Sequence, residues 1–258
     1  MAPDASLMVD LRQALDRVYF AAEGLGVDPD PWQQRLLRSS ANNVLLCCSR
    51  QSGKSSMAAV LALHRALYHP NSLVLVLAPA LRQSQELFSK LSTFYRDLGR
   101  PVPANAERRL SLELGNGSRI VTLPGTEKTV RGFSGASLVV VDEAARVEDG
   151  LYHAVRPMLA VSNGCLMMLS TPYGRRGVFF GEWTNGEGWE RYEVRATEVP
   201  RISTSFLEAE RKSMPARVFR QEYECSFEET EDQVFHHEDV MAALDEGVRP
   251  LFVGRGPG

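Results

Sequence analysis

The 258-residue chain has only four cysteines, Cys47, Cys48, Cys165 and Cys225, and none of them falls in a C-x-x-C pair. Neither a zinc ribbon nor a disulfide framework is expected from that spacing; buried, reduced thiols are. No stretch approaches the roughly 18 apolar residues that a membrane span needs. The N-terminal "MAPDASLMVDLRQALDRVYF" carries acids and no continuous apolar run, so neither insertion nor export is expected. Internal repeats and low-complexity segments are missing as well. With 44% hydrophobic and 24% charged residues, the composition is that of an ordinary globular chain. Its length fits one main domain and a small appendage.

The formal net charge of −3 hides an uneven distribution. Ten Asp or Glu and no Lys or Arg fall in residues 222–246, and only Arg249 and Arg255 follow, so the first 221 residues carry a net +5. A modestly basic body can meet phosphate locally, although scattered solvated arginines explain the same number.

Along the chain, residues 5–24 have helical apolar spacing, and the breaker Asp28 to Pro31 precedes a second helix. "NVLLCCS", "SLVLVLAP", "SLVVVDEA" and "GCLMMLSTP" are short apolar runs of strand length. Helices are expected between them, from "KSSMAAVLALHRALYH", from the apolar series Leu81, Leu87, Leu91, Phe94 and Leu98, and from "GLYHAVRPMLA". "RLSLELGNGSRIVTLPG" alternates on both sides of a turn and reads as a β-hairpin. Apolar strands interleaved with helices predict an α/β fold, a doubly wound and mostly parallel sheet covered on both faces. Residues 203–225 read as two short helices broken at Met214-Pro215, a small C-terminal helical lid. The expected division is a core over 1–200, the lid over 201–235 and a linker over 236–258, with "LFVG" as a last strand-like run.

The chemistry starts where a strand meets a helix, at "CCSRQSGKSS". The P-loop pattern G-x-x-x-x-G-K-[ST] finds Gly53, Lys54 and Ser55 in place, but Cys48 stands at the first glycine. A strand-to-helix loop offers backbone N–H groups and a helix N-terminus to phosphate. Ser49, Arg50, Gln51, Ser52, Gly53, Lys54, Ser55 and Ser56 are therefore the expected nucleotide-binding stretch. Within it, Lys54 would reach the β- and γ-phosphates, and Ser55 would hold Mg²⁺. Asp142 ends an apolar strand, where an acid completes the Mg²⁺ site, and Glu143 beside it can act as general base. Read in isolation, the two acids could equally cap the helix that follows. Ser170 and Thr171 end another strand, at the edge where open α/β sheets bind ligands, or else initiate a turn at Pro172. Arg50 and Arg131 are the candidates for a positive fork on the transferring phosphate, although most arginines are solvated or paired on the surface.

Taken together, "CCSRQSGKS", "VRGFSGASLVVVDEAA", "LSTPYGRRGVFF" and "FRQEYECSF" resemble, in order and spacing, the ATPase domain of the large terminase subunit, the motor that packs DNA into tailed-bacteriophage heads. The similarity runs from about Pro31 to Phe235. That family typically has a loop S-R-Q-x-G-K-[ST] without the first glycine, as in Ser49 to Ser55 here. The resemblance implies a P-loop NTPase of the RecA-like (ASCE) class that uses ATP and Mg²⁺. It also implies Gln33 of "PWQQ" as the adenine-reading residue, though a plain helix start explains that motif too. Ser170 and Thr171 become the coupling motif, and Arg131 an arginine finger reaching a neighbouring subunit. Implied partners are double-stranded DNA, portal protein and small terminase subunit, met in the host cytoplasm. A homo-oligomeric ring is implied on the capsid, with a monomer in isolation.

Members of the family continue into a nuclease domain whose first strand carries a metal-binding acid. "LFVGRGPG" has Gly256 at the apparent acid position; either the chain is a fragment cut at the domain junction or the tail is not that strand, and in both cases nuclease activity is not expected. Two alternatives stand beside the motor. A helicase-type translocase would usually need a second motor domain in the same chain. A non-hydrolysing, ATP-switched assembly module would have no use for a base at Glu143.

Overall fold

A computed structural model of the chain describes residues 5–229. A compact unit reaches to Glu228. The expected linker over 236–258, the end of the lid over 230–235 and the "LFVG" run lie outside the described residues.

In chain order the elements begin with α1 (Ala5–Leu15), then α2 (Arg17–Tyr19), which runs into a π-turn (Phe20–Gly24), then α3 (Pro31–Arg38). β1 (Asn43–Cys48), α4 (Lys54–Tyr68), β2 (Leu73–Ala78) and α5 (Leu81–Asp97) form the first strand-helix repeat. β3 (Ala104–Arg108), β4 (Ser111–Leu114) and β5 (Arg119–Pro124) follow, then the short α6 (Glu127–Val130), β6 (Ala136–Asp142) and α7 (Asp149–Ala160). β7 (Cys165–Ser170), α8 (Gly177–Thr184), β8 (Glu190–Val194), α9 (Thr204–Ser213) and α10 (Ala216–Tyr223) complete the unit.

The eight strands form one sheet in the order β3-β4-β5-β2-β6-β7-β1-β8. Only β4 runs against the others, pairing antiparallel with β3 and β5, while β5, β2, β6, β7, β1 and β8 pair in parallel. The expected hairpin is β4–β5. Its partner β3 is an additional edge strand that the sequence pattern did not announce.

The continuous apolar runs are explained by burial on both sides, because a strand turns successive side chains to opposite faces. In β1, Val44, Leu46 and Cys48 enter the apolar layer beneath α3, α4 and α5, while Leu45 and Cys47 enter the layer beneath α7 and α8. The same alternation holds in β2, with Val74 and Val76 against Leu73, Leu75 and Leu77, and in β6 and β7. Helices on both faces follow from that two-sided demand. All four cysteines are free, and Cys47, Cys48 and Cys225 are buried. No helix among the described residues is long and apolar enough to cross a membrane.

Beyond the sheet, α9 and α10 pack on one another through Leu207, Phe219 and Tyr223, with Ala196 completing a separate apolar cluster. Ser203 caps α9 by accepting the Phe206 N–H, and the break between the two helices falls at Met214-Pro215. Proline cannot donate the helical hydrogen bond and disfavours helix at the residue before it.

Candidate functional site

β6, β7 and β1 are neighbours in the sheet and run parallel, so they end on the same edge and the loops after them converge. After β1 comes the glycine-poor loop. Its left-handed residues are Gln51 (φ 60°) and Gly53 (φ 91°), and Cys48, at the place of the usual first glycine, has no positive φ. Cys48 is instead buried as the last residue of β1, and burial pushes its thiol pKa well up, leaving it an unreactive packing group. A side chain is tolerated there because the turn is made further along.

Gly53 could not carry one. A Cβ at that position would lie 2.7 Å from Gln33 Nε2, in addition to its left-handed backbone. Gln33 is itself buried, and its amide joins two elements: Oε1 accepts the Asp30 N–H at 2.9 Å, and Nε2 donates to the Ser52 carbonyl at 3.3 Å. Arg201 donates to the same carbonyl at 3.2 Å and pairs with Asp30 at 2.7 Å. The loop is thus propped from α3 and from the segment before α9. Arg201→Ala leaves the buried Asp30 carboxylate without its cation. Because the guanidinium is half exposed, the loss should be only about 1–2 kcal/mol of stability, read from chemical denaturation.

Past Gly53 the helix α4 begins with Lys54, whose ammonium is buried between two partners. It lies 3.4 Å from Glu143 Oε1 and donates to Thr171 Oγ1 at 3.3 Å. Ser55 Oγ donates to Asp142 Oδ2 at 3.1 Å, and the other Asp142 oxygen accepts the Glu143 N–H at 3.0 Å. Burial, and then the neighbouring Glu143 charge, raise the Asp142 pKa, with Lys54 and Ser55 opposing. A cation at Asp142 would relieve that cost. A hydroxyl and a single carboxylate are the hard oxygen donors that Mg²⁺ accepts, the remaining places going to waters and phosphate oxygens. The residues therefore fit Mg²⁺. Among the described residues no cluster of three or more His, Cys, Asp or Glu offers a site of the self-contained kind.

Five of the expected residues, Lys54, Ser55, Asp142, Glu143 and Thr171, are brought into one constellation. Ser56 stands beside it, accepting from Lys90 Nζ at 3.1 Å. Arg50, Gln51, Ser52, Gly53, Lys54, Ser55 and Ser56 line a cavity of about 470 Å³, closed on one side by Lys90 of α5. A smaller cavity, about 240 Å³ between Arg17, His64, Arg65 and Cys165, sits where strands begin. That is the wrong edge for a ligand of an open α/β sheet.

Other expected residues sit apart from the constellation. Ser49 is buried and gives its N–H to the Val194 carbonyl at 2.9 Å, and Ser170 Oγ turns to the Thr171 carbonyl at 2.7 Å. Arg50 gives its amide to the Glu222 carbonyl at 2.9 Å and its Nε to the Glu222 carboxylate at 3.1 Å. Arg131, exposed after α6, pairs with Glu127 one helical turn earlier. Lys90, Arg201 and Glu222 escaped the sequence reading, as did Arg146, which follows Glu143 by three residues. Only Arg146 lies close enough in the chain to an expected residue for its spacing to have pointed to it.

The family model for the terminase large subunit of T4-like-virus type, N-terminal part, matches residues 45–241. The terminase large subunit of Thermus virus P23-45 is 29% identical, over 86% of this chain and 53% of that protein. That of Escherichia phage T5 is 27% identical, over 81% of this chain and 50% of that protein. The chain spans about half the length of the curated relatives it matches. Among solved structures, the ATPase domain of the Thermus phage P74-26 large terminase has a TM-score of 0.70 at 24% identity. The match covers 80% of this chain and 97% of that one, and the two share a fold.

Proposed function

The chain belongs to the terminase large-subunit family, and from that membership we propose that it is a Mg²⁺-dependent ATPase that drives double-stranded DNA into a viral procapsid. The observation that carries the reading is the shared ammonium of Lys54, held between Glu143 and Thr171 at 3.4 and 3.3 Å. A nucleotide phosphate entering the loop competes for that ammonium, so binding alone changes what the base and the strand-end hydroxyl touch.

On this reading the loop amides and Lys54 hold the β- and γ-phosphates. Ser55 and Asp142 hold Mg²⁺, which when bound neutralises charge on the phosphate oxygens. Glu143, released by Lys54, accepts the proton of the attacking water. Thr171 loses the same cation, and this passes the state of the nucleotide to β7. Arg50 acts on the transferring phosphate only after leaving Glu222. An adenine edge at Gln33 takes the place of the Ser52 carbonyl. Portal protein and small terminase subunit are the partners we assign, in a homo-oligomeric ring working in the host cytoplasm.

Lys54→Ala tests the carrying observation. Titration with ATP and Mg²⁺ should show no measurable binding, since no other residue of the loop supplies a buried cation to the phosphates. Wild-type affinity in that variant would remove the reading.

A further inference from the structure

Glu143 faces two cations, and the nucleotide can take only one of them. Oε1 lies 3.4 Å from Lys54, while Oε2 lies 4.0 Å from Arg146 Nε. The backbone sets up the second contact: Glu143 is left-handed (φ 51°) and opens a 3₁₀ turn over Ala144–Arg146, with the Arg146 N–H bonded to the Glu143 carbonyl at 2.9 Å. The turn thus brings Arg146 back beside the residue that caps it, three positions on in the chain. Its guanidinium also lies 4.0 Å above the centre of the Tyr173 ring, within cation–π range. Tyr173 is two residues past Thr171, the other partner of Lys54. The contacts run from Thr171 to Lys54, Lys54 to Glu143, Glu143 to Arg146 and Arg146 to Tyr173, and the chain through Pro172 joins the two ends.

We propose that Arg146 is a positioning residue for Glu143, clamped in turn by the Tyr173 ring, and that it keeps the carboxylate aimed once phosphate has drawn Lys54 away. This rests on the ATPase reading and goes further by naming what holds the base in the loaded state. Without Arg146, Glu143 loses its remaining cation at the moment it must act. Misplacement of a reacting group by about 1 Å costs on the order of 10²-fold in rate. Arg146 is partly exposed, and in the unloaded protein Glu143 keeps Lys54 as a partner, so removing Arg146 should not unfold the protein.

The test compares Arg146→Ala, Arg146→Lys, Tyr173→Ala and Tyr173→Phe with wild type, using ATP titration and steady-state phosphate release. Arg146→Ala should lower kcat by about 10- to 100-fold, with ATP affinity within about threefold of wild type. Arg146→Lys should recover part of the loss. Tyr173→Ala should lower kcat in the same direction, and Tyr173→Phe should recover most of that loss. The Arg146→Ala/Tyr173→Ala double variant should be no slower than the slower single variant, because residues acting through one contact are not additive. An unchanged kcat in Arg146→Ala would overturn the inference. A fall in affinity matching the fall in kcat/KM would overturn it too, by making Arg146 a phosphate contact. Glu143→Gln in the same series separates the two claims. A wild type that releases no phosphate above background removes the ATPase reading and this inference with it, one no faster than Glu143→Gln removes the base assignment and this inference, and a fast wild type beside an equally fast Arg146→Ala removes only the inference.

Discussion

Glu143→Gln is expected to bind ATP and to release phosphate about 10²- to 10⁴-fold more slowly than wild type, the contribution of a positioned general base. The amide has the size of the carboxylate but cannot take the proton of a water. It also no longer pairs with Lys54, which lies 3.4 Å from the carboxylate. Affinity for ATP should therefore be kept or improved while turnover falls. That split distinguishes a base from a residue that merely holds the loop together, whose loss would weaken binding. Titration and phosphate release on the same preparation decide it, and wild-type turnover would take the base assignment away.

A larger effect is expected from Arg131, through assembly. We propose that Arg131 acts on a neighbouring subunit's nucleotide. It stands on a loop whose glycines, Gly132 (φ 109°) and Gly135 (φ 67°), adopt backbone conformations that other residues rarely take. Its guanidinium is about three-quarters exposed, paired with Glu127 of its own helix, and no contact joins it to Lys54, Asp142, Glu143 or Thr171. An arginine finger contributes about 10³ to 10⁵ in rate, so dilute monomer should bind ATP and hydrolyse it slowly. Specific activity should rise with protein concentration or with tethering into a ring, and Arg131→Ala should remove the rise with affinity nearly intact. Mixing is sharper. Lys54→Ala subunits keep the finger and Arg131→Ala subunits keep the loop, so together they should recover activity that neither has alone. Activity independent of concentration, with no recovery on mixing, would place Arg131 within its own subunit or make it structural.

The sheet was legible because its inner strands are buried on both faces, and a six-residue apolar run such as Leu73–Ala78 fits few places other than the inside of such a sheet. The hairpin was legible from alternation. β3 was not, because "ANAER" is an edge strand with no large apolar residue, made by pairing with β4. The loop residues and the Asp142–Glu143 pair were legible as short local patterns. What props them was not: Arg201 reaches Asp30 and Ser52, and Glu222 reaches Arg50, across most of the chain. Such pairs exist only after the fold has brought distant segments together. Arg131 shows the converse, since a motif can mark a residue without bringing it to the constellation of its own subunit.

The strand order also fixes when the loop after β1 can be finished. β1 is made early in synthesis, yet the strands on either side of it, β7 and β8, follow more than a hundred residues later. β2 finds β5 and β6 much sooner, so the outer half of the sheet can assemble while β1 is still without neighbours. Pairings so distant in sequence form slowly, and until they form both edges of an apolar strand stay open to wrong partners. The loop after β1 also lacks the hydrogen bond from Ser49 to the Val194 carbonyl until β8 has been made. Asn43–Cys48 is therefore the strand that waits longest for its partners.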